Sequence, residues 1–319
     1  MTKISNTALV IGATGGIGGE VARVLSARGW DVRALHRDPA HAASSNPDLH
    51  WVQGDAMDRA SVDRAAAGMA VIVHAVNPPG YRNWSGLVLP MLDNSLAAAT
   101  RHGAHVVLPG TVYNFDPDAG EAVDESAAQH PKTRKGRIRV EMERRLERAA
   151  EQGAKALIVR AGDFYGPRSG NSWLAQGMVP TPGPVQRVFN PARAGVGHAW
   201  AYLPDLAETM VRLLERRDEL AAFDRFHFGG TWVDDNRSFA EAIRQAAGRP
   251  DAPIYPFPWP VIHALAPFNE TVREMREMIY LWRRPLRLID AKLRQFLGDV
   301  PGTPLDEALR TTLAGLGRA

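Results

Sequence analysis

Seven residues near the start of the chain constrain its fold more than any others: Gly12-Ala13-Thr14-Gly15-Gly16-Ile17-Gly18, between the apolar run Ala8-Leu9-Val10-Ile11 and a helical one. A strand that turns at once into a helix needs glycine for the tight turn, for close approach of a bound group and for helix–sheet packing. The helix that follows opens with unsatisfied N–H groups and the positive end of its dipole. Strand, glycine turn and helix in that order form a cradle for a pyrophosphate, so the segment predicts dinucleotide binding.

The residues that follow repeat the alternation. Short, nearly continuous apolar runs at 8–12, 31–35, 51–53, 71–75, 105–108 and 156–160 read as strands. Helical patterns at 17–28, 61–67, 87–101 and 137–151 lie between them. Pro90 is expected to kink or start its helix, and Gly136 to mark the start of the next. Apolar strands without polar alternation suit a parallel sheet covered on both faces. The predicted class is α/β, a doubly wound parallel sheet (Rossmann fold) with a smaller C-terminal substrate lobe. A chain of 319 residues exceeds what one core of about 250–300 residues covers. The dinucleotide-binding part is expected over 1–162. Residues 163–319 are expected to be mostly the substrate-binding lobe, with some segments returning to the sheet and helices at 205–216, 239–247 and 272–283. Val272, Met275, Ile279 and Trp282 make one helical stripe, read as packed core.

Charge and composition exclude other classes. The net charge is only +3, and basic residues such as those of Lys132–Arg148 interleave with Glu141, Glu143 and Glu147, so no nucleic-acid partner is expected. Glu141 and Arg145 form an i,i+4 pair, while Ile138, Met142, Leu146 and Ala149 make the buried stripe of that helix. No membrane segment or targeting signal is read. The absence of cysteine fits a reducing cytoplasm and removes thiolate chemistry. His102 and His105 have no third partner, so no metal is expected. The partner class is a small-molecule substrate. Whether the chain acts alone or as a homodimer stays open.

Arg37, at the end of the second strand, suits the 2′-phosphate of NADP, whereas an acidic residue there would hold the ribose of NAD. NADP is therefore the expected cofactor. Asp38, one position on, keeps NAD open, and Arg37 as a plain strand-end cation is the alternative.

The glycine loop, Gly54-Asp55-Ala56, Ile72-Val73-His74-Ala75, Arg160–Pro167 with its Tyr165-Gly166-Pro167, and Ala201–Ala207 together resemble the extended short-chain dehydrogenase/reductase superfamily of NAD-dependent epimerase/dehydratase-like proteins. The resemblance implies that Asp55 and Ala56 lie by the adenine. It also implies that Ala75, Val76 and Asn77 lie near the cofactor ribose and pyrophosphate, and Phe164 near the nicotinamide amide. The family usually supplies a hydroxyl after the fifth strand and a Tyr-x-x-x-Lys on the next helix. Here Pro109 stands at the expected hydroxyl. Matching Glu143 and Leu146 to the family's E-x-x-L puts Lys135 and Arg139 at the tyrosine and lysine positions, and a two-residue slip gives Thr133 and Arg137. Neither register contains a tyrosine.

The candidate catalytic groups are therefore Thr111, Tyr113, Lys135 and Arg139. Arginine stays protonated and suits anion or ribose binding, while Lys135 could donate a proton only if its pKa were lowered. For Tyr113, a substrate contact and a packed aromatic both stand. Tyr81, Arg82 and Trp84 either shape a substrate pocket or belong to a rigid connection. Two readings follow: an NADP(H)-dependent oxidoreductase acting on a small carbonyl or alcohol, or a non-catalytic NADP(H)-binding sensor or regulator.

Overall fold

Strands apolar on both faces must be covered on both sides, and this chain does so by sending a helix back after nearly every strand. The computed structural model describes residues 6–78, 83–116, 118 and 120–319. Its first half runs β1 (Thr7–Ile11), α1 (Gly16–Ala27), β2 (Asp31–His36), α2 (Pro39–Ser45), β3 (His50–Gln53), α3 (Arg59–Ala66), β4 (Val71–His74), α4 (Trp84–His102), β5 (His105–Thr111), β6 (Ala122–Val123), α5 (Arg134–Glu151) and β7 (Lys155–Ala161). The later elements are β8 (Asp163–Tyr165), β9 (Val188–Asn190), β10 (His198–Tyr202), α6 (Leu203–Glu215), β11 (Phe223–His227), β12 (Thr231–Val233), α7 (Asn236–Ala246), β13 (Ile254–Pro256), α8 (Trp259–Leu265), α9 (Glu270–Glu277), β14 (Arg287–Leu288), α10 (Ala291–Leu297) and α11 (Leu305–Gly315).

The central sheet has seven parallel strands in the order β11-β7-β5-β4-β1-β2-β3. Alternate residues of β1 divide the core: Ala8 and Val10 pack with α1 and α6, Leu9 and Ile11 with α3, α4 and α5. The strand order reverses between β1 and β4, which opens the crevice where open α/β sheets bind ligands. A three-stranded sheet, β12-β10-β8, carries a separate aromatic core of Tyr165, Trp200, Phe239 and Trp282 under α7 and α11. The α5 stripe is as expected, with Ile138, Met142, Leu146 and Ala149 buried, and Arg145 Nε donates to Glu141 Oε1 at 3.0 Å.

Several local expectations need correction. β5 continues through Pro109 and Gly110 to Thr111, paired with β7, instead of ending at Leu108. β4 has already stopped at His74, and the Pro109 carbonyl accepts from Arg139 at 3.4 Å, so the proline costs no ladder bond on that side. α4 starts at Trp84 and runs through Pro90. α5 starts at Arg134 behind a Thr133 cap, with Gly136 inside it, because a Cβ there would lie 2.3 Å from the Tyr113 carbonyl oxygen. The predicted helix over 272–283 breaks after Glu277 into a 3₁₀ turn, Ile279–Trp282. The break rotates the buried face: Glu274, Met278, Leu281 and Trp282 point inward, while Val272, Met275 and Ile279 are only half-buried.

Candidate functional site

The glycine cradle is built by contact distances. A Cβ on Gly12, whose φ is +98°, would lie 2.6 Å from the Ala75 backbone, and one on Gly18 only 2.3 Å from the Gly12 carbonyl oxygen. These two glycines let β1, α1 and the end of β4 converge at the strand-order reversal. Gly15, the N-cap of α1, offers no side chain to its orphan N–H groups, and the first turn holds no acidic residue. Thr14 and Gly15 are exposed, Gly16 half-buried and Ile17 buried, so amides stand open beside an apolar wall. Glu20 in α1 receives Arg168 through two bonds of 2.9 and 3.0 Å, which ties the segment after Gly166-Pro167 to the same helix. A tight glycine turn that opens into a helix N-terminus with no capping side chain and no acidic residue in its first turn fits a diphosphate. Replacing Gly18 by alanine should push α1 off the loop and weaken dinucleotide binding by about tenfold or more. Isothermal titration of the variant measures this, and unchanged affinity would refute it.

On the adenosine side, Arg37 is exposed at the end of β2. Asp38 N-caps α2, its Oδ1 accepting the His41 N–H at 3.1 Å. Asp55 is half-buried and held by the Met57 N–H on its Oδ1 at 2.9 Å, and the buried Ala56 has its carbonyl bonded by Asn94 Nδ2 at 2.9 Å. The mouth between β2, β3 and the cradle thus holds Arg37 and two engaged carboxylates, Asp38 and Asp55.

At the opposite end the structure joins several predicted residues. Arg139 lies 5.4 Å from the ring centroid of Trp84, whose Nε1 donates to Asn77 Oδ1 at 2.6 Å. Arg139, Trp84 and Asn77 therefore form one chain of contacts beside Ala75 and Val76, both half-buried. Tyr81 and Arg82 lie outside the described residues. Thr111 accepts the Tyr113 N–H at 3.3 Å, so its hydroxyl serves the turn that leaves β5. Tyr113 packs at the edge of an apolar cluster with Val112, Phe115, Met278 and Leu281. Phe164 is half-buried on β8, in register with Ala201.

Lys135 departs from the expected orientation toward ligand. It is buried, and its Nζ donates to the Glu274 carbonyl at 2.7 Å and lies 3.4 Å from the Glu274 carboxylate. Burial lowers its pKa, as a proton donor would need, but Glu274 and Glu277 oppose that shift. The neighbouring cation that helps lower it is Arg134.

Pattern reading missed three groups. His74 is buried with Nδ1 2.8 Å from Ser95 Oγ, and its Nε2 has no partner among the described residues. Burial and Arg139 lower its pKa to about 3. His198 Nε2 meets Asp163 Oδ2 at 2.8 Å in a buried pair. The Tyr280 hydroxyl is buried near Asp163, and burial and that carboxylate raise its pKa. Only the position of Asp163 beside Phe164 offered a sequence signal for the last two.

A family model described as NAD(P)H-binding matches residues 12–178, just over half of the chain. A curated relative, the ceramide reductase of Caulobacter vibrioides, is 29% identical over 170 residues, 52% of this chain and 49% of that protein. The match thus spans about half the length of that relative. Among solved structures, UDP-glucose 4-epimerase from Thermotoga maritima is similar at TM-score 0.73 and 17% identity, covering 97% of this chain and 98% of that one. UDP-glucose 4-epimerase from Bifidobacterium longum in complex with NAD+ and UDP is similar at TM-score 0.72 and 15% identity, covering 96% and 97%. At these identities the likeness is one of fold.

Proposed function

The chain belongs to the NAD(P)H-binding family, and from that premise we propose that it is an NADP(H)-dependent oxidoreductase of a carbonyl or alcohol substrate. The observation that carries this reading is the cradle at the start of α1, where Gly12 and Gly18 let β1, the end of β4 and α1 approach more closely than any side chain would allow. When bound, the nicotinamide exchanges a hydride with the substrate carbon. The amides of α1 hold the diphosphate, and Asp55 with Ala56 flank the adenine. Arg139, permanently charged and braced by Trp84 and Asn77, holds the nicotinamide ribose or its phosphate. Ala75 and Val76 form the floor beside it, and Phe164 the wall at the nicotinamide amide. Thr111 positions Tyr113, and Lys135 positions α9 rather than moving a proton.

NADP is preferred over NAD because Arg37 stands free at the ribose end while Asp38 is engaged in capping α2. A ligand that binds only the folded state stabilises it by about 2.7 kcal/mol at a hundred times its dissociation constant. NADP should therefore raise the melting temperature more than NAD, and Arg37→Ala should narrow that difference. Equal shifts in the unaltered protein would reject the preference.

The substrate is proposed to carry apolar bulk. Trp173 packs on Trp259, Phe257 and Trp282 with ring centroids 5.9, 5.7 and 5.1 Å away, an aromatic wall suited to hydrocarbon. The partial likeness to a ceramide reductase points the same way. NADPH oxidation across short- and long-chain ketones and aldehydes tests the activity. The second reading, an NADP(H)-responsive regulator, is favoured by the Lys135–Glu274 contact, which turns one candidate proton donor toward α9. Tight NADPH binding without turnover on any member of the panel would select it.

A further inference from the structure

We propose that α8 and the turn after it form a docking surface for a lipid bilayer with anionic headgroups, on which the protein lies without crossing it. The inference goes beyond the oxidoreductase reading and stands without it, because attachment requires neither cofactor nor turnover.

Large apolar side chains that face water are few in this chain. Among the described residues they are Met57, Tyr255, Val261, Leu265 and Phe268, and all but the first fall within residues 255–268. Phe268 is 88% exposed, Val261 52% and Leu265 49%. From Ile254 to Phe268 the chain holds no aspartate, glutamate, lysine or arginine. The spacing i, i+4, i+7 puts Val261, Leu265 and Phe268 on one side of α8 and its closing turn. The opposite side is already covered. Trp259 and Ile262 are half-buried there, and Ala266 is buried. The Trp259 Nε1 donates to the Pro191 carbonyl at 2.8 Å, and its ring packs on Phe257 at 4.9 Å and on Trp173 at 5.9 Å. A helix apolar on both faces belongs in a protein core or in hydrocarbon, yet among the described residues only one face of α8 is covered.

The charges beside the patch select its occupant. α9 folds back against α8. From Ile254 to Ile289 every exposed ionisable residue apart from His263 is an arginine: Arg273, Arg276, Arg283, Arg284 and Arg287. The acids of that stretch are withdrawn. Glu274 is buried against Arg134 and Lys135, Glu277 accepts the N–H groups of the same two residues, and Glu270 is half-buried. Arg284 pairs with Asp118 and Arg287 lies over the Trp232 ring, whereas Arg273, Arg276 and Arg283 have no ion pair among the described residues.

Apolar side chains flanked by arginines fit the boundary between acyl chains and anionic headgroups. An apolar face sinks about 5–10 Å there, and each nearby cation adds attraction. A second protein fits less well. The four exposed side chains offer on the order of 500 Å², short of the roughly 800 Å² that a stable interface covers on each partner. The segment lies on the bilayer rather than in it, since no helix among the described residues is long and apolar enough to cross. Phe257 and Trp259, part of the aromatic wall assigned above to apolar bulk, belong to this same segment, so docking face and wall share one element.

Flotation of the full chain with vesicles of phosphatidylcholine and phosphatidylglycerol in equal parts, at physiological ionic strength, tests this. The unaltered protein should float with them, and should bind vesicles of phosphatidylcholine alone more weakly by about tenfold or more. L265S/F268S should weaken binding to the mixed vesicles by about tenfold or more, because two apolar side chains no longer leave water. R273Q/R276Q should weaken it by about tenfold through the lost attraction to the headgroups. All four side chains are exposed, so both variants should keep the melting temperature of the unaltered protein. A lower melting temperature in L265S/F268S would show that these side chains pack inside the protein, and overturns the proposal. No flotation of the unaltered protein, or equal flotation of L265S/F268S, also overturns it. So does a dimer, seen by light scattering, that becomes a monomer in L265S/F268S, since the patch would then join two copies of the chain. No cofactor or ketone is present, so the result is independent of whether the protein reduces anything.

Discussion

Between about pH 7 and pH 5 the protein is expected to lose about 5 kcal/mol of folding stability, equal to the whole stability of a domain at the low end of the ordinary range. Three histidines cause it. His74 and His227 have pKa values lowered to about 3, and His105 to about 4, in each case chiefly by burial. Nearby cations add to it: Arg139 for His74, Arg160 for His227, Lys155 and Arg217 for His105. The hydrogen bonds agree. His227 gives its Nδ1–H to the Val123 carbonyl at 3.2 Å and turns Nε2 to the Arg160 guanidinium at 3.0 Å, where a second proton would face a cation. In the unfolded chain each ring titrates near 6.5. The folded pKa values lie below the unfolded one, so the unfolded state binds more protons as the pH falls. The stabilisation is complete above about pH 6.5 and is lost between there and about pH 3, the His105 part by about pH 4. Each ring contributes nearly 2 kcal/mol at pH 5, and His105 rather less because it lies closer to solvent. Denaturant melts across this range should show a steep decline. A flat profile would mean that these rings are protonated in the native state.

Glu143→Ala should destabilise the protein by about 3 kcal/mol, the lower end of the range for breaking a buried ion pair. Arg160 is 0% exposed and Glu143 3%. They are joined by two bonds, Nε to Oε1 at 2.9 Å and Nη2 to Oε2 at 2.5 Å. Removal of the carboxylate leaves a guanidinium in the core beside His227 and the Phe115 ring. A cavity of about 230 Å³ lined by Gln129, Arg144, Glu147 and Arg225 lies against Glu143. Water entering from it can solvate part of the charge, which sets the loss near 3 rather than 5 kcal/mol. Equilibrium unfolding in urea measures the change. A loss under about 1 kcal/mol would show that the pair contributes no more than a surface one.

The same pair shows how the chain could be read. Arg160 belongs to a segment that carries the family resemblance and Glu143 was matched to the family's E-x-x-L, and they are halves of one buried contact between α5 and β7. Matching a pattern therefore found the right neighbours without knowing that they touch. The α5 stripe was legible because helical spacing is local, and so was the cradle, because glycine is demanded by the turn itself. The end of β5 was misread because a Pro-Gly pair normally stops a strand, and only the early end of β4 makes it harmless. Lys135 was expected to face ligand because nothing near it in sequence shows that Glu274, more than a hundred residues on, would claim it.

By itself the sequence determined the doubly wound sheet and the dinucleotide cradle, since each follows from spacing and backbone freedom within about thirty residues, the span of one βαβ unit. Tertiary structure alone decided which charges are neutralised, which histidines are sealed from water and which hydroxyl stands without a partner. Those properties depend on what distant segments bring to the same place, and local sequence carries no record of that.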